Sequence, residues 1–179
     1  MMTKPSNWDT TPAQTGEYTP LPAGGYECRI VAVQLGSARS GAPMMTIAFD
    51  IESGAYAGYY KKQYEGRKAS NPEVKWGGLY YQLTDGDALG RFKGMIQNIE
   101  ESNPGYTWNW DDQSLVGKLF GGKFREEEYI GNDGKVHTST KCISIRPIEG
   151  IEAITPPEKK CIEGARSGAP IYNDEEILF

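Results

Sequence analysis

Residues 26–35 read YECRIVAVQL, and the apolar residues of this run change face partway along. Tyr26, Cys28 and Ile30 hold even positions; Val31, Val33 and Leu35 then hold odd ones. Side chains of a strand alternate with a period of two, so a single flat strand cannot keep both sets on one face. A strand that bends strongly at an irregularity can, and it can then serve two parts of a closed sheet. Gly24 and Gly25 open the run, and GSARSGAP closes it, with Gly41, Ala42 and Pro43 as the turn signal.

Outward from that strand, MMTIAFDI alternates cleanly, with Met45, Ile47, Phe49 and Ile51 on one side and Thr46, Ala48 and Asp50 on the other. After the short connection SGAYAG, Tyr59 to Tyr64 is expected as strand three, running into a long polar loop. From Asp87 the period changes. Leu89, Phe92, Met95, Ile96 and Ile99 recur at three and four, with Asp85 or Asp87 as N-cap and Asn103, Pro104 and Gly105 as the stop, which predicts one amphipathic helix. Gly90 and Gly94 weaken it and are expected where the helix approaches a strand closely. The loop GYTWNWDD leads to VGKLFGGKFREEEYI, a strand whose glycines suggest a bend, and GNDG turns the chain into the last strand, KVHTSTKCISIRP. Three strands, a helix and two strands, with a long bent first strand, is the order of a mainly β, five-stranded OB-fold barrel. Other small β folds also hold five strands, so the order supports that architecture without proving it.

The 179 residues leave room for one domain with tails: an N-terminal arm over 1–23, mobile unless Trp8 or Tyr18 pins it, a domain over 24–150, and a linker with an acidic tail over 151–179. The net charge of −5 is uneven: 24–150 carries 15 Lys and Arg against 16 Asp and Glu, and 151–179 carries 3 against 6. A basic face on the domain must therefore be balanced by an acidic one. No apolar run reaches membrane-spanning length and the start, MMTKPSNWDTTPAQ, is polar, so a cytoplasmic protein with no membrane partner is expected. Cys28, Cys142 and Cys161 are widely spaced, without a CxxC pair; neither a disulfide framework nor a zinc site is indicated, and the first two are expected as buried thiols.

Signals of catalysis are weak. Gly117, Gly122 and Lys123 satisfy GxxxxGK, but Phe124 stands where Ser or Thr should hold magnesium, and the segment reads as strand. His137 has no accompanying nucleophile motif and reads as an ordinary strand residue. Asp111 and Asp112 read as a solvated turn between tryptophans. No enzyme, metal or cofactor is expected.

The functional signal lies in residues 59–81, YYKKQYEGRKASNPEVKWGGLYY. Tyr59, Tyr60, Tyr64, Trp76, Tyr80 and Tyr81 are interleaved with Lys61, Lys62, Arg67, Lys68 and Lys75 in a chain that is acidic overall. Rings and cations together suit a single-stranded nucleic acid, whose bases offer π-faces and whose backbone offers phosphates. On a strand, only one of Tyr59 and Tyr60 faces the ligand. Lys123, Arg125 and Lys141 on the last two strands extend the phosphate track. The bland alternative is that Tyr suits half-buried strands and lysines keep them soluble. The same aromatics would then form a core or an oligomer interface, in a protein-interaction or phage structural module. A sugar-binding platform is a weaker third.

After Pro147 the chain is irregular, with a second copy of ARSGAP at Ala165 to Pro170, and it ends in Asp174, Glu175, Glu176, Ile177, Leu178 and Phe179. An acidic run closing on apolar residues and a terminal Phe is similar to the tip of bacterial single-stranded DNA-binding proteins. The body, with LPAGGYECRI and ARSGAPMMTIAFDI, resembles a family of phage and prophage single-stranded DNA-binding proteins of replication and recombination. The resemblance implies an OB-fold, single-stranded DNA as ligand, and a tip that recruits replication or recombination proteins. In the tip only Asp174 to Glu176 and Phe179 carry over; Ile177 and Leu178 replace the familiar proline-containing ending.

Overall fold

The computed structural model describes residues 3–6 and 19–162. Its first strand, β1 (Gly24–Ser37), changes face where the sequence says it must. Against β2 (Pro43–Ile51), Cys28 pairs with Ile51 and Ile30 with Phe49; the register then shifts, and Val33 pairs with Ile47. Val31 is the extra residue of a β-bulge. The bulge moves the core-facing set from even to odd positions, so Cys28, Ile30 and Val33 are all buried.

The remaining strands are β3 (Leu79–Leu83), β4 (Leu119–Ile130) and β5 (Val136–Arg146). All pairings are antiparallel, and the sheet order is β3-β2-β1-β4-β5. The first half of β1 pairs with β4, from Gly24 opposite Phe124 to Arg29 opposite Leu119. The bend expected from the β4 glycines is present as a second register shift, at Lys123/Phe124. Core rings meet edge to face: Phe49 lies 5.5 Å from Phe120 and 5.9 Å from Phe124.

Among the described residues two α-helices accompany the sheet, where the sequence predicts one. The segment expected as strand three is helix α1 (Tyr59–Lys68), and β3 falls later, in what reads as the end of the aromatic stretch. The physical reason is visible in YYKKQYEGRK. Its rings at 60 and 64 stand four apart with Lys62 between them, so strict alternation fails, while Lys, Gln, Glu and Arg all favour helix. The second helix, α2 (Leu89–Ser102), follows β3 as expected and buries Phe92, Met95, Ile96 and Ile99. Asp85 accepts from Gly86 N at 2.7 Å and caps the 3-10 turn that leads into it.

Polar side chains fasten α2 across β4 and β5. Asn103 donates to Ile99 O (2.7 Å) and Leu119 O (2.8 Å) and accepts from Leu119 N (2.9 Å). Asn98 donates to Ile145 O at 2.9 Å. The helix thereby packs against β3, β4 and β5, and the two terminal strands of the sheet, β3 and β5, meet above it. Leu21, Leu115 and Ile151, outside the expected strands, are buried as well, the first two within the core cluster. Ile151 sits in a 3-10 turn against β1 and β4, and a Cβ on Gly25 would lie 1.7 Å from its carbonyl oxygen.

Cys28 and Cys142 are buried free thiols and Cys161 is exposed. Burial pushes the Cys142 thiol up to about 12 and that of Cys28 well above its ordinary value, so both stay protonated and inert. Among the described residues no helix is long and apolar enough to cross a membrane.

The close approach expected at Gly90 and Gly94 is absent: a Cβ at either would meet nothing within 4 Å. Gly90→Ala and Gly94→Ala are therefore each expected to stabilise the protein by about 0.5–1 kcal/mol, read as a rise in urea midpoint. Gly25→Ala should do the reverse, displacing the Ile151 turn and lowering stability by at least about 1–3 kcal/mol. Equal midpoints for the three variants would contradict this packing.

Candidate nucleic-acid interface

Helix α1 begins without a cap of its own, since Gly58 at its N-cap has no side chain. The cap comes from β2. Asp50 Oδ1 accepts from Tyr60 N at 2.9 Å and from Ile51 N at 2.8 Å, and Oδ2 accepts from Lys61 N at 3.1 Å. A carboxylate there satisfies orphan donors and complements the helix dipole. It also fixes which way α1 faces.

With that rotation set, rings turn inward and cations outward. Tyr60 is in the core, 5.5 Å from Phe49 edge to face. Tyr59 is half-buried and donates through its hydroxyl to Thr19 O at 2.9 Å. Because α1 is a helix, the two do not alternate as strand residues would, and the choice between them as ligand-facing neighbours does not arise. Trp76, half-buried, donates from Nε1 to Phe49 O at 2.9 Å and lies 5.7 Å from Tyr64. The Lys68 ammonium sits 5.1 Å from the Tyr64 ring centroid. Gly78 leaves room for this packing: a Cβ there would meet Phe49 O at 2.3 Å and the Tyr60 ring at 2.7 Å. On β3, Tyr80 takes the core side opposite Ile47 and Tyr81 the other side, opposite Thr46, which is itself buried.

Lys61, Lys62, Arg67 and Lys68 are exposed on α1, and Lys75 is exposed in the connection to β3. Among the described residues no carboxylate lies within ion-pair distance of Lys61, Lys62 or Lys68; Lys62 Nζ donates instead to Ala57 O at 2.9 Å. The cations of the last two strands differ. Arg125 is held by Glu127 at 2.5 Å, and Lys141 approaches the same carboxylate at 3.9 Å, so one anion offsets both. Lys123 is half-buried, paired with Gly25 and Ser144. On β1, Arg29 is held by Glu52 (2.6 and 2.7 Å) and by Gly117 O (2.8 Å). That hydrogen bonding raises the guanidinium pKa and holds the Glu52 carboxyl below its usual range.

A second aromatic group lies between α2 and β4, where the sequence suggested only a turn. Tyr106 carries the Lys118 ammonium 4.5 Å from its ring centroid, and Trp108 and Trp110 stand 6.2 Å apart at 56°. Trp110 is 80% exposed. It is also the one non-glycine residue with positive φ (68°) among those described, a conformation that costs a bulky residue on the order of 1–3 kcal/mol. Neither composition nor periodicity marks that strain. The unpaired indoles in GYTWNWDD were the available signal.

Asp111 and Asp112 serve the turn after Trp110, accepting from Gln113 N (3.0 Å) and Gln113 Nε2 (2.7 Å) respectively. His137, on β5, meets Asp133 at 2.9 Å at the hairpin end, the ordinary strand role expected of it. The GxxxxGK glycines lie at the entry to and within β4, where a Cβ on Gly122 would strike the Phe124 ring at 2.5 Å. The tail Asp174 to Phe179, the second ARSGAP, Trp8 and Tyr18 lie outside the described residues. No protein-family model and no curated protein matches the chain.

Trp76→Ala is expected to lower stability by about 2–3 kcal/mol, less than a fully buried Trp would lose, with oligo-dT affinity of the folded fraction equal to that of the unsubstituted protein. A variant of unchanged urea midpoint with weakened oligo-dT binding would return Trp76 to the ligand surface.

Proposed function

We propose that this protein binds single-stranded DNA without strong sequence preference, in phage replication or recombination, through the cationic face of α1. The observation that carries the reading is the set Lys61, Lys62 and Lys68, exposed on one helix and, among the described residues, in no ion pair with a carboxylate, in a chain of net charge −5. A helix fixed by Asp50 and Tyr60 presents these ammonium groups in a constant arrangement, which a phosphate track exploits. Arg67 and Lys75 extend the face, while Arg125 and Lys141 contribute less because Glu127 sits between them.

We read the architecture as an OB-fold barrel. Support comes from the strand order, from a first strand shared between β2 and β4 and bent at Val31, and from α2 lying under the meeting of β3 and β5. On that reading α1 elaborates the connection between β2 and β3, beside the face on which such barrels hold oligonucleotides. The chain works in the cytoplasm of a bacterial host, needs no cofactor and performs no catalysis. The tail Asp174 to Phe179 recruits replication or recombination proteins and so raises their local concentration at the bound strand.

A second reading, a protein-interaction or oligomer-forming module, draws on the β4–β5 hairpin, whose end exposes Tyr129, Ile130 and Val136. It predicts concentration-dependent assembly with no preference for nucleic acid.

Affinity for oligo-dT should fall steeply with salt, the log–log slope being about 0.7 per neutralised phosphate. Replacing Lys61, Lys62 and Lys68 together by Ala should reduce that slope by about 2 with folding unchanged. Binding that ignores salt, or a slope the triple variant does not alter, would favour the second reading. Deleting residues 173–179 should leave oligo-dT affinity unchanged or slightly higher at low salt, because Asp174 to Glu176 repel phosphate, while capture of partners is lost. Lost DNA binding on deletion would instead make the tail part of the DNA site.

A further inference from the structure

We propose that Trp110 is a base-stacking residue, offering its indole face to an unstacked base of a bound single strand. The proposal rests on the reading above and adds to it a second contact, on a different loop from α1.

Three features coincide in the run 106–118. Trp110 is largely open to solvent although it is the chain's bulkiest kind of side chain, its backbone holds the left-handed conformation, and the buried indole N–H of its neighbour Trp108 has no acceptor. Strained backbone and unsatisfied buried donors gather at functional sites more than elsewhere. Here they occur within three residues of one another.

The loop is nonetheless tightly tied. Trp108 N donates to Glu100 Oε1 on α2 at 2.7 Å, Asp111 N to Asn109 Oδ1 at 3.2 Å, and Ser114 Oγ to Asp111 O at 2.6 Å; the Tyr106 hydroxyl meets Ser114 Oγ at 2.9 Å. A ligand therefore meets an indole already in place and does not have to order it. Trp108 is tilted 56° from Trp110, so it braces the ring without stacking over its face.

The sheet fixes the position of the loop, and a cation lies in the same run. Gln113 Nε2 donates to Val33 O at 3.2 Å and Gly117 N to Ile30 O at 2.8 Å, so the loop is stitched to the edge of β1. The carboxylates beside Trp110 are engaged with Gln113, and Lys118 lies over Tyr106 in the same run.

The test compares wild type, Trp110→Phe and Trp110→Gly of the full chain, binding oligo-dT and an abasic strand of equal length. Glycine suits φ 68°, so Trp110→Gly should melt no lower than wild type. It should bind oligo-dT about 5- to 100-fold more weakly, and Phe should restore most of the loss. On the abasic strand all three should bind alike. Unchanged oligo-dT affinity in Trp110→Gly, an equal loss on both strands, or a drop in melting temperature would overturn the assignment while leaving the cationic face standing. Failure of wild type to bind oligo-dT would overturn the single-strand reading itself, and this assignment with it.

Discussion

One extra residue in one strand, Val31 of β1, sets the conditions for the rest of the sheet. Without it, Val33 would point outward and Ala32 and Gln34 would turn into the core, because a slip of one position exchanges the faces of everything beyond it. With it, β1 keeps Cys28, Ile30 and Val33 all buried opposite β2, at Ile51, Phe49 and Ile47, while Cys28 also lies opposite Phe120 of β4. A bulge also sharpens local twist, and the second one at Lys123/Phe124 acts on the neighbouring strand. The terminal strands of the sheet, β3 and β5, come near one another, and α2 packs against both. The polar ties from Asn98 and Asn103 then hold α2 against β5 and β4.

What the sequence discloses follows from how local the governing physics is. The face change in YECRIVAVQL, the alternation of MMTIAFDI and the three-and-four spacing from Leu89 are one-dimensional patterns, and each corresponds to a real element. Helix α1 was legible in principle from the spacing of Tyr60 and Tyr64, but its rotation was not. That depends on Asp50, a residue of β2 that reaches the helix only through tertiary folding. Hence the stretch gave the right residue types and the wrong geometry: its rings brace the core and its lysines face water. Leu21 and Ile151 were illegible for a related reason, since single apolar residues in irregular chain have no period. Gly90 and Gly94 misled because a glycine records permission for close approach, not its use.

The electrostatics are arranged by neighbourhood more than by composition. Arg29, Arg125 and Lys159 each have a carboxylate within 3.0 Å, and Lys141 has one at 3.9 Å. Surface pairs of this kind contribute little to stability, yet they remove cations from the pool available to an anionic ligand. The lysines of α1 remain in that pool. An acidic protein can thus carry a basic face, and the carboxylates elsewhere limit how much of its surface attracts phosphate.

The most direct measurement of the central claim is a map of amide and indole NMR shifts for the full chain, free and saturated with oligo-dT. The account predicts that perturbed amides concentrate in α1 and around Lys75, with the Trp110 indole moving and Trp76 staying still. Shifts confined to the Glu128–Val136 hairpin, or none on saturation, would contradict it.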